Sequence, residues 1–464
     1  MEHEADINKG NNNGDTPLFV ACYNGHIEVV KYLVEHGADI NKGNRSGATP
    51  LYISCKNGHI ELVKYLVEHG ADISNGIFNG FKSLFIACKE GHIEVVKYLV
   101  EHGVDINKGS IDGWTPLQIA CKKGHIEVVK YLFEHGTDIN KRINYWTPLE
   151  IACSNGHIEV VKYLVEHGAD INKRNSNGFT PLYIACFNGH IEVVKYLVEH
   201  GADINKDNDG FTPLYYACFD GHIEVVKYLV ERGADINKDN DGFTPLYYAC
   251  KNGHIEVVKY LVEHGANVNK ENNDGFTPLY IACQNGHIEV VKYLVEHGID
   301  LNKDNDGFTP LYYACFDGHI EVVKYLVEHG VDLNKEGNNY WILLFNSCQK
   351  GYEDIVKYLI DRNKEKIKYL CNKNNNYNIE KDIIHEMNNK NLLKSERLKI
   401  LIKFCTPILN KSSSLIKRLM KDNNEKILEI LFKNHFRFFD KYIIIDFLNY
   451  YKNRIPISDS ELFF

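Results

Sequence analysis

No uninterrupted apolar stretch in the 464-residue sequence approaches the roughly 18 residues that a membrane span requires, and no charged-then-apolar leader opens it. The chain is therefore expected in the cytoplasm, with the nucleus as the alternative. There is no Gly-Lys dipeptide, which excludes a phosphate-cradling loop of the GxxxxGK[ST] kind. Neither His-Glu-x-x-His nor Gly-x-Ser-x-Gly occurs. His26-Ile27-Glu28 and its copies match half of a zinc deaminase signature, but the Pro-Cys-x-x-Cys half is missing. These absences lead us to expect no enzyme, no metal site and no cofactor.

What the chain has instead is repetition. The phrase TPLYYACFDGHIEVVKYLVERGADIN at Thr212–Asn237 recurs with small changes from near Met1 to about Arg362. A period of 20–50 residues means a stacked array of small units rather than one globular core. Eleven units are indexed by their turn positions: Gly14, Gly47, Gly80, Gly113, Tyr145, Gly178, Gly210, Gly242, Gly275, Gly307 and Tyr340. We number the repeats one to eleven in that order. Their spacing alternates between 33 and 32 residues, and the missing residue falls in the turn, Lys206–Gly210 against Lys270–Gly275. Exposed tips are where a length change costs least.

The unit that starts at Gly242 shows how a repeat is built. Thr244 serves as N-cap and Pro245 sits at the first helical position, where its missing N–H costs nothing. Leu246, Ala249 and Cys250, spaced i, i+3, i+4, make the buried stripe of a short helix, and Gly253 ends it. A second helix is expected to turn Ile255, Val258, Leu261 and Val262 inward, with Val257 flanking. Glu256 and His264 suit its two ends, and Gly265 stops it. The Asn-, Lys- and Asp-rich stretch from Ala266 to Asp274 then turns the chain back. Helices this short cannot bury an apolar face alone, so neighbouring units must supply the missing surface.

The Thr-Pro-Leu, Gly-His and Gly-Ala-Asp-Ile-Asn elements resemble the ankyrin repeat. The resemblance implies an all-α solenoid of helix-turn-helix units joined by hairpin-like turns, and it implies protein binding along a concave groove. Three segments are expected. Residues 1–13 are the remnant of a partial repeat, because Glu2–Asn8 match the end of a unit whose helices are absent. Residues 14–362 are the solenoid. Residues 363–464 are a divergent helical region, read as a C-terminal helical cap, since Ser414–Phe432 can be laid without gaps over Thr244–Val262. Because residues 1–13 are partial, either the chain is a piece of a longer one, which is the favoured reading, or repeat one exposes its inner face.

Of 13 cysteines, eleven occupy one slot per repeat, from Cys22 to Cys348. Stacked helices lie about 8–10 Å apart, beyond the reach of a disulfide, so these thiols are expected to be reduced core residues. The 22 histidines divide between Gly-His-Ile-Glu at helix starts and Glu-His-Gly at helix ends, with few exceptions. The two kinds sit at opposite ends of one helix, too far apart to share an ion, and are read as turn and cap residues.

Charge separates the two parts of the chain. Arg362–Phe464 carries 21 Lys and Arg against 12 Asp and Glu, while the part before it carries 32 against 50. The outward face of the second helix repeats itself, with Glu28, Lys31 and Glu35 recurring as Glu224, Lys227 and Glu231, and a repeated face cannot encode a distinctive target. Variation gathers at the turn tip, after the turn glycine and at the end of the first helix. The post-glycine slot is aromatic in nine units: Phe81, Trp114, Trp146, Phe179, Phe211, Phe243, Phe276, Phe308 and Trp341. Such rings anchor interfaces, unless each packs across its turn onto the next repeat.

At the end of the first helix, Lys56, Lys89, Lys122 and Lys123 give way to Phe187, Phe219 and Phe316, beside acidic tips at Asp209, Asp241 and Asp306. The expected partner is a protein segment that is basic and apolar, bound by a monomer. Tyr52, Tyr183, Tyr215, Tyr247, Tyr280 and Tyr312 take a slot where the resembled pattern usually has His, and their hydroxyls are expected to find turn partners. Two other readings remain. One is an adaptor whose C-terminal helices dock onto other machinery, such as a ubiquitin ligase. The other is a regulator touching nucleic acid through the basic tail, which is disfavoured because its lysines are scattered among acids without a known motif.

Overall fold

The computed structural model describes residues 6–73, 83–110, 112–142, 145–303, 308–331, 343–344, 346–347 and 350–362. The region 363–464, with its expected helical cap, lies outside them, as do Phe81, Asp306, Trp341 and Cys348. Among the described residues there are 21 helices and no strand beyond two isolated bridges. The all-α reading holds. The chain divides between Asn267 and Val268 into two units, and the described repeats of each are built the same way.

Each of repeats one to ten is a first helix of seven or eight residues and a second of nine, as in Pro213–Asp220 followed by Ile223–Glu231. The first helix starts where threonine can cap it: the Thr212 hydroxyl accepts the Tyr215 N–H at 3.3 Å, and Thr16, Thr49, Thr180 and Thr244 repeat the contact. Ser83–Glu90, in the repeat that lacks Thr-Pro, is still helical. Gly221 ends its helix at φ 79°, in the left-handed region that favours glycine. Repeats five, six and nine close on asparagine instead, and the Asn155, Asn188 and Asn285 amides donate back to the Ile151, Ile184 and Ile281 carbonyls at 2.8–2.9 Å.

The core runs between the two rows. Leu246, Ala249 and Cys250 are fully buried, as are Val257, Val258 and Leu261. Val257 is thus a core residue and does not flank the stripe, while Ile255 and Val262 are only half-buried. The second helix is pressed by its own first helix and by the second helices on either side, so its buried arc is wider than a single stripe. Each buried leucine contributes about 1.5–3 kcal/mol relative to exposure. The ten described ladder cysteines are buried and form no disulfide. Burial pushes the Cys22 thiol up to about 12, and raises those of Cys55, Cys121 and Cys218 too.

Polar bonds join one repeat to the next along three lines. The histidines opening the second helices of repeats two to eight and ten turn their rings back: His222 Nε2 lies 3.0 Å from the Phe187 carbonyl and His254 Nε2 2.9 Å from that of Phe219. Each ring lies against the helix-ending glycine of the preceding repeat, so a Cβ on Gly189 would meet His222 Nδ1 at 2.5 Å. Asparagines of the Asp-Ile-Asn stretch form the second line. Asn172 Nδ2 donates to the Gly201 carbonyl at 3.0 Å while its Oδ1 accepts the Asp203 N–H at 2.9 Å. Asn8 spans to Gly37 and Asp39 in the same way, so the residues before repeat one already take part. Third, the Tyr228 hydroxyl donates to the Lys195 carbonyl at 3.4 Å.

Within each unit, first helices of successive repeats pack on one another more extensively than second helices do. The first helices therefore form the crowded inner row, and the varied ends of those helices face its surface.

Candidate partner-binding surface

Variation at the first helices produces a continuous strip of rings across repeats six, seven and eight. Phe179 stacks on Tyr183 of its own repeat, centroids 4.1 Å apart and planes 14° from parallel. Tyr183 meets Tyr216 of the next repeat at 4.2 Å, and Tyr216 also touches Phe187 at 5.9 Å and Phe211 at 6.2 Å. Tyr215 reaches Tyr248 at 4.6 Å, Tyr248 lies 5.6 Å from Phe219, and Phe243 joins through Tyr247 at 5.0 Å. The steps from Tyr216 onward fall within the roughly 4.5–7 Å range in which aromatic pairs attract beyond their burial, and the two before it are closer still. Phe187 is the outermost ring, 42% exposed.

The post-glycine rings do not pack mainly across the turn. Phe211 and Phe243 lie 4.3 and 5.0 Å from the tyrosine four residues later in their own repeat, as Phe179 does. Phe276 and Phe308 repeat this in the other unit, at 5.4 Å from Tyr280 and 4.3 Å from Tyr312. Edge contacts with the following repeat are longer, 6.5 Å for Phe179 to Tyr216 and 5.7 Å for Phe276 to Tyr313. Trp114 stands apart, with the Lys122 ammonium 4.7 Å from its ring centroid. Trp146 is half-buried, and its carbonyl accepts from Gln118 Nε2 at 3.2 Å.

Two of the helix-one tyrosines take partners that are not in a turn. The Tyr183 and Tyr215 rings pack against the phenols of Tyr216 and Tyr248, one repeat on, at 4.2 and 4.6 Å. Burial, then that neighbouring phenol, holds each well above the usual tyrosine range. The pairing needs a second tyrosine at the fourth helical position, which only the repeats reading Pro-Leu-Tyr-Tyr supply.

The acidic tips have a conformational reason of their own. Asp209 and Asp241 sit at φ 49° and 51°, each followed by a glycine near 80°, and each turn closes an Asn–Phe bridge, Asn208 to Phe211 and Asn240 to Phe243. Two consecutive left-handed residues make the primed hairpin turn, for which Asp-Gly is a preferred pair. Both carboxylates point from exposed positions. Asp306, the third tip, lies outside the described residues. Phe316 is half-buried beside Tyr312, 5.9 Å away, with the Lys350 ammonium 4.4 Å from its ring centroid.

One feature went unread in the sequence. At the third position of the first helix, repeats four and five carry Gln118 and Glu150, both buried, where the others have rings. Each forms a capping box: Thr147 N–H donates to Glu150 Oε2 at 2.7 Å while Glu150 N–H donates to the Thr147 hydroxyl at 3.2 Å. The other carboxylate oxygen, Oε1, is buried without a hydrogen-bond partner. Burial raises the Glu150 carboxyl above the ordinary range, against the pull of Thr147 and Arg142. The Thr-x-x-Glu spacing is itself a signature that points to this contact.

Among the described residues, no group of three or more His, Cys, Asp or Glu could hold a metal ion, and no helix is long and apolar enough to cross a membrane. A family model described as ankyrin repeats (3 copies) matches six overlapping segments: residues 1–77, 74–143, 141–208, 205–272, 267–337 and 301–369. No curated protein matches the sequence.

Proposed function

We propose that this chain, which belongs to the ankyrin-repeat family, is a non-enzymatic scaffold that holds a protein partner along its inner row of helices and its turn tips. Ankyrin repeats are in general modules for protein–protein interaction, and that much comes with the family. The reading that the partner lies on the inner row rests on one observation. The connected ring strip from Phe179 to Tyr248 lies where the first helices of repeats six to eight differ in character, while the second helices of those repeats are identical. Rings set in a row offer apolar area at little entropic cost, and Asp209, Asp220 and Asp241 add negative charge beside them. The partner segment should be apolar and basic.

The test is a photo-cross-linking amino acid placed at Phe187 or Phe219 on the inner row, and at Glu192 or Glu224 on the outer one, in the full chain in cells. The expected result is one partner recovered from both inner positions and from neither outer one. Equal recovery from the outer positions would refute the assignment.

The adaptor reading is favoured by the charge difference between the two parts of the chain. Its mark would be that a chain ending at Arg362 keeps the cross-linked partner but loses a second one that the full chain retains.

A further inference from the structure

Two first helices have the same eight residues. Pro213–Asp220 and Pro310–Asp317 both read Pro-Leu-Tyr-Tyr-Ala-Cys-Phe-Asp. Each ends on an aspartate at the negative pole of its helix, where a carboxylate is disfavoured. At that slot repeats one, two, five and six use Asn24, Asn57, Asn155 and Asn188, which carry no charge. Neither aspartate is there for the sake of its helix. Burial raises both carboxyls, and in both a histidine opening the next helix pulls the other way.

The two copies differ in what covers them. Over Phe316 and Asp317 the following repeat brings Lys350, its ammonium 4.4 Å from the Phe316 centroid and attracting the Asp317 carboxylate. In the repeat that follows Phe219 and Asp220, the residue before the glycine is Asn252, and its amide donates to the Phe219 carbonyl at 2.7 Å. Lys251 of that repeat lies over Tyr248 at 5.3 Å, and the charges acting on Asp220 are those of His222 and His254. Both imidazoles are already committed to the carbonyls of Phe187 and Phe219. The same ring-and-carboxylate pair is thus filled by an ammonium in one place and open in the other.

We propose that Phe219 and Asp220 form a receptor for a lysine side chain of the protein partner, the ring facing the ammonium and the carboxylate neutralising it, as Lys350 does inside the chain. This rests on the inner-row reading and sharpens it. Phe187 occupies the slot of Phe219 one repeat earlier, about 8–10 Å away by helix spacing, and it is the most exposed ring of the strip. A polyproline II segment advances about 9 Å per turn of three residues and returns its side chains to one edge, so an apolar residue and a lysine three apart reach Phe187 and Phe219 together.

The probe is a dye-labelled peptide carrying Leu-Pro-Pro-Lys, with its reversed-order twin, titrated into the full chain by fluorescence anisotropy. One of the two should bind, and replacing its lysine by norleucine should weaken it about fivefold or more, the scale of one desolvated cation–ring contact. Asp220→Asn, which installs the residue used at Asn188, should weaken it similarly without lowering the melting temperature. Asn252→Lys should do the same by filling the receptor from within, as Lys350 does. Equal binding of the norleucine peptide, or unchanged affinity in both variants, overturns the lysine receptor. If those variants bind normally while Phe187→Ala does not, the inner-row reading survives alone. Absence of binding by either lysine peptide also overturns the receptor, and leaves the cross-linking result as the judge of the inner row.

Discussion

The inner and outer rows of the unit ending at Asn267 differ in what they hold constant. The second helices of repeats five to eight are the same nine residues, Ile-Glu-Val-Val-Lys-Tyr-Leu-Val-Glu. The first helices of those repeats keep leucine, alanine and cysteine where they pack. They change their third residue from Glu150 to Tyr183, their fourth from Ile184 to Tyr216, and their seventh from Ser154 to Phe187 to Phe219 to Lys251. A chain that stacks on itself must present the same contact to each neighbour, so uniformity marks architecture. The inner surface carries no such demand, and its differences between repeats are open to serve a target.

The comparison breaks most severely at the shared core. Leu229→Ala and Leu197→Ala remove fully buried side chains and should each cost about 2–5 kcal/mol in urea unfolding. An equal loss at both would mark the row as uniform; a much smaller loss at one would show that the repeats do not stack as equivalents. Next comes Gly189→Ala, which sets a Cβ 2.5 Å from His222 Nδ1 on a backbone at φ 73°. A left-handed non-glycine residue costs about 1–3 kcal/mol, and His222→Ala in the same chain should recover the clash but not the backbone part. Strict additivity of the two would remove the ring from the account of why glycine stands there.

A smaller effect sharpens the inner row. Glu150 has a raised carboxyl in the folded chain, so its protonated form suits the fold and its contribution is present at low pH and lost as pH rises through that raised value. Glu150→Gln places there the residue that at Gln118 bonds Thr115 and Trp146, and should stabilise the chain by about 1 kcal/mol at neutral pH. The gain should shrink below the ordinary carboxylate range. A gain that is constant from pH 4 to 8 would contradict burial as the cause. The smallest effect belongs to the outer surface. Lys227 and Glu224 make an exposed pair at 3.1 Å, and replacing either by alanine should change stability by no more than about 0.5 kcal/mol.

Much of this was legible in one repeat read as a string. Thr-Pro at the start, glycine at each stop and Leu-x-x-Ala-Cys between them specify the first helix, and the cysteine ladder follows from the period. What one repeat could not show is what lies one repeat away. Val257 looked like a flanking residue because the neighbouring second helix is absent from a single-unit reading. Asn172 read as turn chemistry, whereas it ties Gly201 and Asp203 of the following repeat together. Tyr183 was expected to bond a turn, and its partner Tyr216 is 33 positions on. Asp209 was read for its charge, and the backbone adds a conformational reason for aspartate at φ 49°. In a solenoid the informative offset is the repeat length, and side chains must be compared at that offset before their roles can be assigned.

The most direct measurement compares the two rows in one experiment: the affinity of the full chain for its cross-linked partner, with Phe187, Tyr216 and Phe219 changed to alanine in one variant and Glu192, Lys195, Glu224 and Lys227 changed to alanine in another. Binding should fall at least about tenfold for the first, the loss of a small hot-spot cluster, and stay within about twofold for the second while both melt cooperatively. Retained binding in the first variant together with loss in the second would place recognition on the repeated outer face and contradict the division of labour between the rows.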